Sequence, residues 1–173
     1  KTLYLLALTR KSIDDIAGFK RSVNQLSKEF PGSKESMRGL LLLGQHHFDR
    51  FEYRQSLKAL LPISKTSYVY ERNLAKYRIG LIYSRQDQSK KALNIFVQVI
   101  TDEKLKEEDN PYDVSLKDQS VRTSLKREAL IDSVPVYTKV YKKNPRPVAF
   151  YSKISPTEVF FQEAIEKLAY RYV

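Results

Sequence analysis

Cysteine and tryptophan are both absent from this 173-residue chain, which also has only 5 Gly and 7 Pro. Without cysteine there is no disulfide framework, no Cys-ligated zinc site and no thiol nucleophile. Glycine and proline together make about 7% of the chain, less than turn-dense sandwiches and barrels need, whereas the abundant Lys, Leu, Glu, Gln, Arg and Ala favour helix. Long apolar runs are missing as well. The longest uncharged stretches, Gly39 to Phe48 and Ala92 to Thr101, are each about ten residues, where a bilayer-spanning helix needs roughly 20. No transmembrane segment is expected. Acidic residues are in deficit, 20 against 31 Lys plus Arg, which leaves a formal charge of +11.

What is present is apolar and aromatic. Hydrophobic residues make 42% of the chain, with 12 Tyr and 8 Phe, enough large side chains to offset the entropy of ordering. An all-α fold is expected. The chain opens at Lys1 and stops at Val173 inside an apolar helical pattern, so the expectation is a piece of a longer protein, with any signal or lipid anchor outside it.

The strongest pattern is a repeat. Leu40, Leu43 and Gly44 are followed twelve residues after the glycine by Ser56, then Leu60 and Ile63. Ile79, Gly80 and Tyr83 are followed by Ala92 at the same distance, then Phe96 and Val99. The template also fits Leu3, Leu6 and Ala7 with Phe19, Val23 and Leu26, and it shifts Leu130, Val134 and Tyr137 onto Ile165, Ala169 and Tyr172. The anchors Ala7, Gly44, Gly80, Val134 and Ala169 are spaced by 37, 36, 54 and 35 residues. Such spacing predicts helical hairpins. A small residue in the first helix lets the second approach, and an apolar stripe on the second helix needs a neighbouring hairpin to cover it. The expected fold is a right-handed superhelical solenoid of helix-turn-helix units at about 1–32, 33–67, 68–103 and 122–155, with a half unit at 156–173, all in one repeat domain. Pro31 to Ser33 and Ser64 to Ser67 supply turn signals, and Ser155 with Pro156 reads as the cap and first turn of the last helix.

The 54-residue interval holds an insert, about 104–121. Between Thr101 and Ser120, seven carboxylates face three lysines, a net charge of −4, leaving +15 on the rest. Asn110 and Pro111 break it, and a short helix is expected near Ser115.

These units resemble the tetratricopeptide repeat, a helix-turn-helix of about 34 residues. The likeness covers four units and the first helix of a fifth. It departs from the family pattern at Leu40 and Lys76, where an aromatic is usual, and at Pro135, which falls inside the first helix of the fourth unit and predicts a kink or a later start. More narrowly, Phe30-Pro31-Gly32-Ser33 with Leu43-Gly44-Gln45-His46-His47-Phe48-Asp49-Arg50, and Arg127 to Asp132, resemble repeat proteins of the Gram-negative envelope. Among these are outer-membrane assembly lipoproteins and repeat proteins of gliding and predatory species. That resemblance implies a scaffold in a cell-envelope or motility complex, with the periplasm favoured over the cytoplasm.

Catalytic signatures are missing. No phosphate-binding glycine loop and no Gly-x-Ser-x-Gly elbow occurs. His46 and His47 are adjacent on one helix and point about 100° apart, so they cannot share a metal ion as an i, i+4 pair does. His47 falls at a packed position and His46 at a surface one. Asp14 with Asp15 and Glu107 with Glu108 read as solvated pairs. The expectation is a non-enzyme with no catalytic residue, no metal and no cofactor.

Binding is the expected activity. If the first helices line a concave face, its exposed positions are Tyr4 and Leu8, then Arg38, Leu41, Gln45, Phe48 and Asp49. Leu74, Tyr77, Leu81 and Arg85 follow in the third unit, and Ile131 and Lys139 in the fourth. A groove of apolar and aromatic patches interleaved with cations suits a partner protein or peptide that is acidic or has acidic flanks. The same charge could attract nucleic acid, with tyrosines stacking on bases. However, the cations are spread along the helices without an arginine block, so nucleic-acid binding is the alternative.

Overall fold

A computed structural model describes residues 2–106, 124–143 and 145–171. Among them are nine helices and no strand. They are α1 (Thr2–Ser12), α2 (Ile16–Glu29), α3 (Lys34–Asp49), α4 (Tyr53–Ile63), α5 (Val69–Arg85), α6 (Ser89–Ile100), α7 (Leu125–Val140), α8 (Pro147–Ile154) and α9 (Glu158–Ala169). The chain divides into two compact units, Lys1–Ala75 and Lys76–Val173. Most of the acidic insert, including the helix expected near Ser115, lies outside the described residues.

In the first unit α1 packs on α2, α2 on α3, and α3 on α4. Its core gathers Ala7, Phe19, Val23, Leu43 and Ala59, with Leu40 and Leu42 against it. Asp15 and Ser33 start α2 and α3, their side chains accepting from Gly18 N at 2.8 Å and Ser36 N at 3.1 Å. Each satisfies one of the amides that a helix start leaves without an intrahelical acceptor. In the second unit α6 packs on α7, and α7 and α8 both pack on α9.

Within two hairpins the glycines make the close approach that the spacing predicts, although the partner lies sixteen residues on rather than twelve. Leu60 covers Gly44, and the Phe96 ring covers Gly80. The residue twelve after Gly44 serves the backbone instead. The Ser56 hydroxyl, fully buried, donates to the Gly44 carbonyl at 2.7 Å.

The turn inside each of the first three hairpins is the same backbone object. Asp14, Phe51 and Asp87 are left-handed, with φ of 60°, 61° and 58°, and they too are spaced by 37 and 36 residues. The next amide in each case donates to a carbonyl five residues back: Asp15 N to Arg10 O, Glu52 N to His47 O and Gln88 N to Tyr83 O, at 2.8–2.9 Å. A left-handed residue lets the chain fold back and satisfy carbonyls that a helix end leaves open.

Two expectations are corrected. The last helix is capped by Thr157, whose hydroxyl accepts from Phe160 N at 3.3 Å, while Ser155 ends α8. Ser155 and Thr157 both have extended backbone, so the chain does not turn helical again until after Thr157, which moves the cap downstream. At Pro135 the later start is the outcome that is excluded: α7 starts at Leu125 under a Ser124 cap and runs through Pro135 to Val140.

Candidate functional site

The residues expected to line a binding groove fall into both units. In the first, Leu41 is 2% exposed and Phe48 8%, so both belong to the core rather than to an open face. The reason is crowding: α3 packs against α1, α2 and α4, and Arg38 ties its start to the start of α5, leaving little free surface. Arg38 Nε reaches Glu71 Oε1 at 3.0 Å, and the Glu71 side chain is only 3% exposed. Arg38 therefore holds a buried carboxylate. Tyr4 is half-buried on α1, and half-buried Gln45 donates to Asp49 four residues on.

The histidines form a second correction. His46 is half-buried rather than at the surface, its ring edge-on to Phe19 at 6.2 Å and its Nε2 buried without a hydrogen-bond partner. Burial and the nearby Lys20 lower its pKa. His47 Nδ1 lies 2.5 Å from Glu52 Oε2. That hydrogen bond, with one from Arg50, lowers the Glu52 pKa to about 2. Among the described residues no group of three or more His, Asp or Glu side chains could hold a metal ion.

In the second unit the structure does bring expected residues together. The Tyr77 hydroxyl donates to Asp132 Oδ2 at 2.7 Å, and its ring rests on Phe96 with centroids 6.1 Å apart. Burial first, then Asp132, raises the Tyr77 pKa well above its ordinary value. Ten residues further on, Asp87 accepts from Lys139 at 2.8 Å, which lowers the Asp87 pKa. These two bonds set the later part of α5 beside α7, running in the same direction. Arg127 Nε then joins α7 to α9 through Glu163 at 2.6 Å. Leu81 is half-buried on α5, and Arg85 is exposed at its end.

Between these helices opens a cleft of about 570 Å³. Tyr77, Ile131 and Tyr170 form its apolar surfaces, and Glu128, Asp132, Glu163 and Glu166 line it with Arg127 and Lys167. Four carboxylates against two cations make it acidic, the reverse of the expected basic groove. The acids escape a reading of the sequence because Glu128 and Asp132, an i, i+4 pair beside Ile131, look like an ordinary solvated helix face. Lys139, the cation expected here, is instead held by Asp87. No helix among the described residues is long and apolar enough to cross a membrane. Comparisons with protein families, curated proteins and solved structures return no match.

Proposed function

We propose that this chain is a non-catalytic adaptor, a tetratricopeptide-like solenoid that holds a segment of a partner protein against its first helices. The observation that carries the reading is the cleft of the second unit. Tyr77, Ile131 and Tyr170 offer an apolar seat, and the surrounding carboxylates suit a cationic side chain of the guest. A few buried apolar anchors within a charged rim are how such grooves concentrate binding energy. The acidic lining repels phosphate, which favours protein over nucleic acid at this site despite the formal charge of +11. The resemblance of the repeats extends the proposal to an envelope or motility complex of a Gram-negative bacterium.

The test is affinity capture from lysate of the source cells with the chain as bait, with and without nuclease, read by mass spectrometry. The expected result is a discrete protein that survives nuclease and is lost on Ile131→Arg, a half-exposed position where the new cation fills the seat. A catch that disappears with nuclease would overturn the reading in favour of nucleic acid. So would binding that falls by orders of magnitude between roughly 50 and 200 mM salt.

A further inference from the structure

The first unit has a cleft of its own, about 300 Å³, between α2, α3 and α4. Its floor is aliphatic. Leu43 and Ala59 belong to the core, and Leu40 packs against that core from a half-buried position. Its rim is cationic and amide: Lys20 and Asn24 come from α2, and Gln55 and Lys58 from α4, with His47 alongside on α3. No carboxylate lines this cleft. Among the described residues neither Lys20 nor Lys58 has an ion-pair partner, although Arg10, Arg38, Arg50, Arg127 and Lys139 all reach carboxylates. Glu52, beside His47, is already held by that histidine and by Arg50.

The second unit leaves the corresponding face of its own second helix open, with different side chains on it. A cleft of about 540 Å³ has Lys90 and Asn94 on α6, with Leu93, Val97, Tyr141 and Phe150 as its apolar lining, and again no carboxylate. Ala7 and Gly80 are two periods, 73 residues, apart. That shift places Leu93 and Val97 at the positions of Lys20 and Asn24, so the same face of the second helix is left open in both units.

Two unpaired ammonium groups and two amides around an aliphatic floor complement a guest that carries carboxylates next to a methyl-bearing side chain. The cations supply charge-assisted hydrogen bonds, and the floor removes apolar area from water. Phosphate would find the lysines, but a base would find no tyrosine or phenylalanine face in this cleft on which to stack. We infer that the cleft between α2, α3 and α4 docks an acidic segment of a partner protein, with one aliphatic side chain flanked by carboxylates seated between Lys20 and Lys58. The inference shares with the proposed function only the premise that the partner is a protein.

The probe is a synthetic peptide of three glutamates, one leucine and three glutamates, titrated into the nitrogen-15-labelled chain and followed through backbone amide shifts. Shifts are expected to concentrate at Lys20, Asn24, His47, Gln55 and Lys58. Affinity is expected to fall roughly tenfold in Lys20→Glu with Lys58→Glu, and in the same direction in the milder Lys20→Gln with Lys58→Gln. Lys28→Glu with Lys65→Glu changes net charge equally at exposed positions away from the cleft, and should stay within about twofold. Ile131→Arg should stay within the same limit.

Three results would overturn the inference: equal binding by a peptide with serine in place of leucine, equal loss in the two glutamate double variants, or tighter binding of a single-stranded oligonucleotide through the same amides. Should the titration fail while nuclease-resistant capture is still lost on Ile131→Arg, the acidic-segment cleft falls and the adaptor reading stands. The reverse pair of results has the reverse meaning.

Discussion

The same substitution, glycine to alanine, should have opposite signs at two positions five residues apart on α3. At Gly39 an added Cβ would lie 3.5 Å from Leu26 Cδ2 and Val23 Cγ1, an ordinary van der Waals contact. Gly39→Ala therefore gains helix propensity and some packing, and should stabilise by about 0.5–1 kcal/mol. At Gly44 the Cβ would sit 2.6 Å from Leu60 Cδ2 and 2.7 Å from its Cγ. Leu60 is fully buried and cannot swing aside without leaving the core. Overpacking of this kind costs about 1–3 kcal/mol, so after the propensity gain Gly44→Ala should destabilise by about 1–2 kcal/mol. Urea unfolding followed by far-ultraviolet circular dichroism measures both, and the midpoints should move in opposite directions at constant m. Leu60→Ala, which alone costs about 2–5 kcal/mol, should cost less in the Gly44→Ala background because the new methyl occupies part of the vacated space. Equal midpoints for Gly39→Ala and Gly44→Ala would refute the close approach of α4 to α3.

Arg38→Met should destabilise by about 3 kcal/mol by stranding the buried Glu71 carboxylate, and Arg38→Met with Glu71→Leu should recover most of that; a thermal-unfolding double-mutant cycle measures the coupling, and a cycle without coupling would return Arg38 to the binding surface. Phe51 holds a left-handed backbone that an aromatic residue adopts only under strain, so Phe51→Gly should be neutral or mildly stabilising while Phe51→Val costs about 1 kcal/mol or more, as read from urea midpoints. Glu52 titrates lower in the folded chain, at about 2, than the 4.5 of an unperturbed glutamate, so its ionised form favours folding. That contribution is fully present above the unperturbed value and is lost as pH falls from there through about 2. In urea titrations from neutral to acid pH, Glu52→Gln should flatten this limb, and an unchanged acid limb would show that the contacts from His47 and Arg50 do not survive in solution.

The helical class, and the close approaches at two glycines, are legible in the sequence because they rest on period and volume. Gly44 and Gly80 mark the close approaches, and apolar residues three and four apart mark the buried faces. The left-handed turns are not legible, since no glycine marks any of them and Phe51 stands where the other two have aspartate; what all three share is a backbone conformation that glycine would have advertised. The candidate surface rests on a template in which each first helix keeps one open face. On α3 that assumption fails, because neighbours on several sides take up Leu41 and Phe48. Polar pairing is invisible for a related reason. Arg38 with Glu71 and Tyr77 with Asp132 are 33 and 55 residues apart, and only the folded chain selects them from many possible charge pairs. The sign of the cleft beside Ile131 differs from expectation for the same reason, because the fold lines it with Glu128, Asp132, Glu163 and Glu166 and not with Lys139.

The contact between Arg38 and Glu71 also bears on how nearly equivalent hairpins avoid mispairing. Moved forward by one period of 36 residues, the position of Arg38 is held by Leu74. A hairpin that begins with α5 thus presents an alkyl group where the one beginning with α3 presents a guanidinium. Glu71 lies on that same α5, so any assembly in which α3 does not come beside it leaves a carboxylate dehydrated without a counter-ion, a penalty of several kcal/mol. Similar units along one chain invite mispairing during folding. The polar bonds α3 to α5 in the first unit, and α5 to α7 and α7 to α9 in the second, each use a different pair of side chains, so none of these contacts can be exchanged for another without leaving a charged or polar group unpaired.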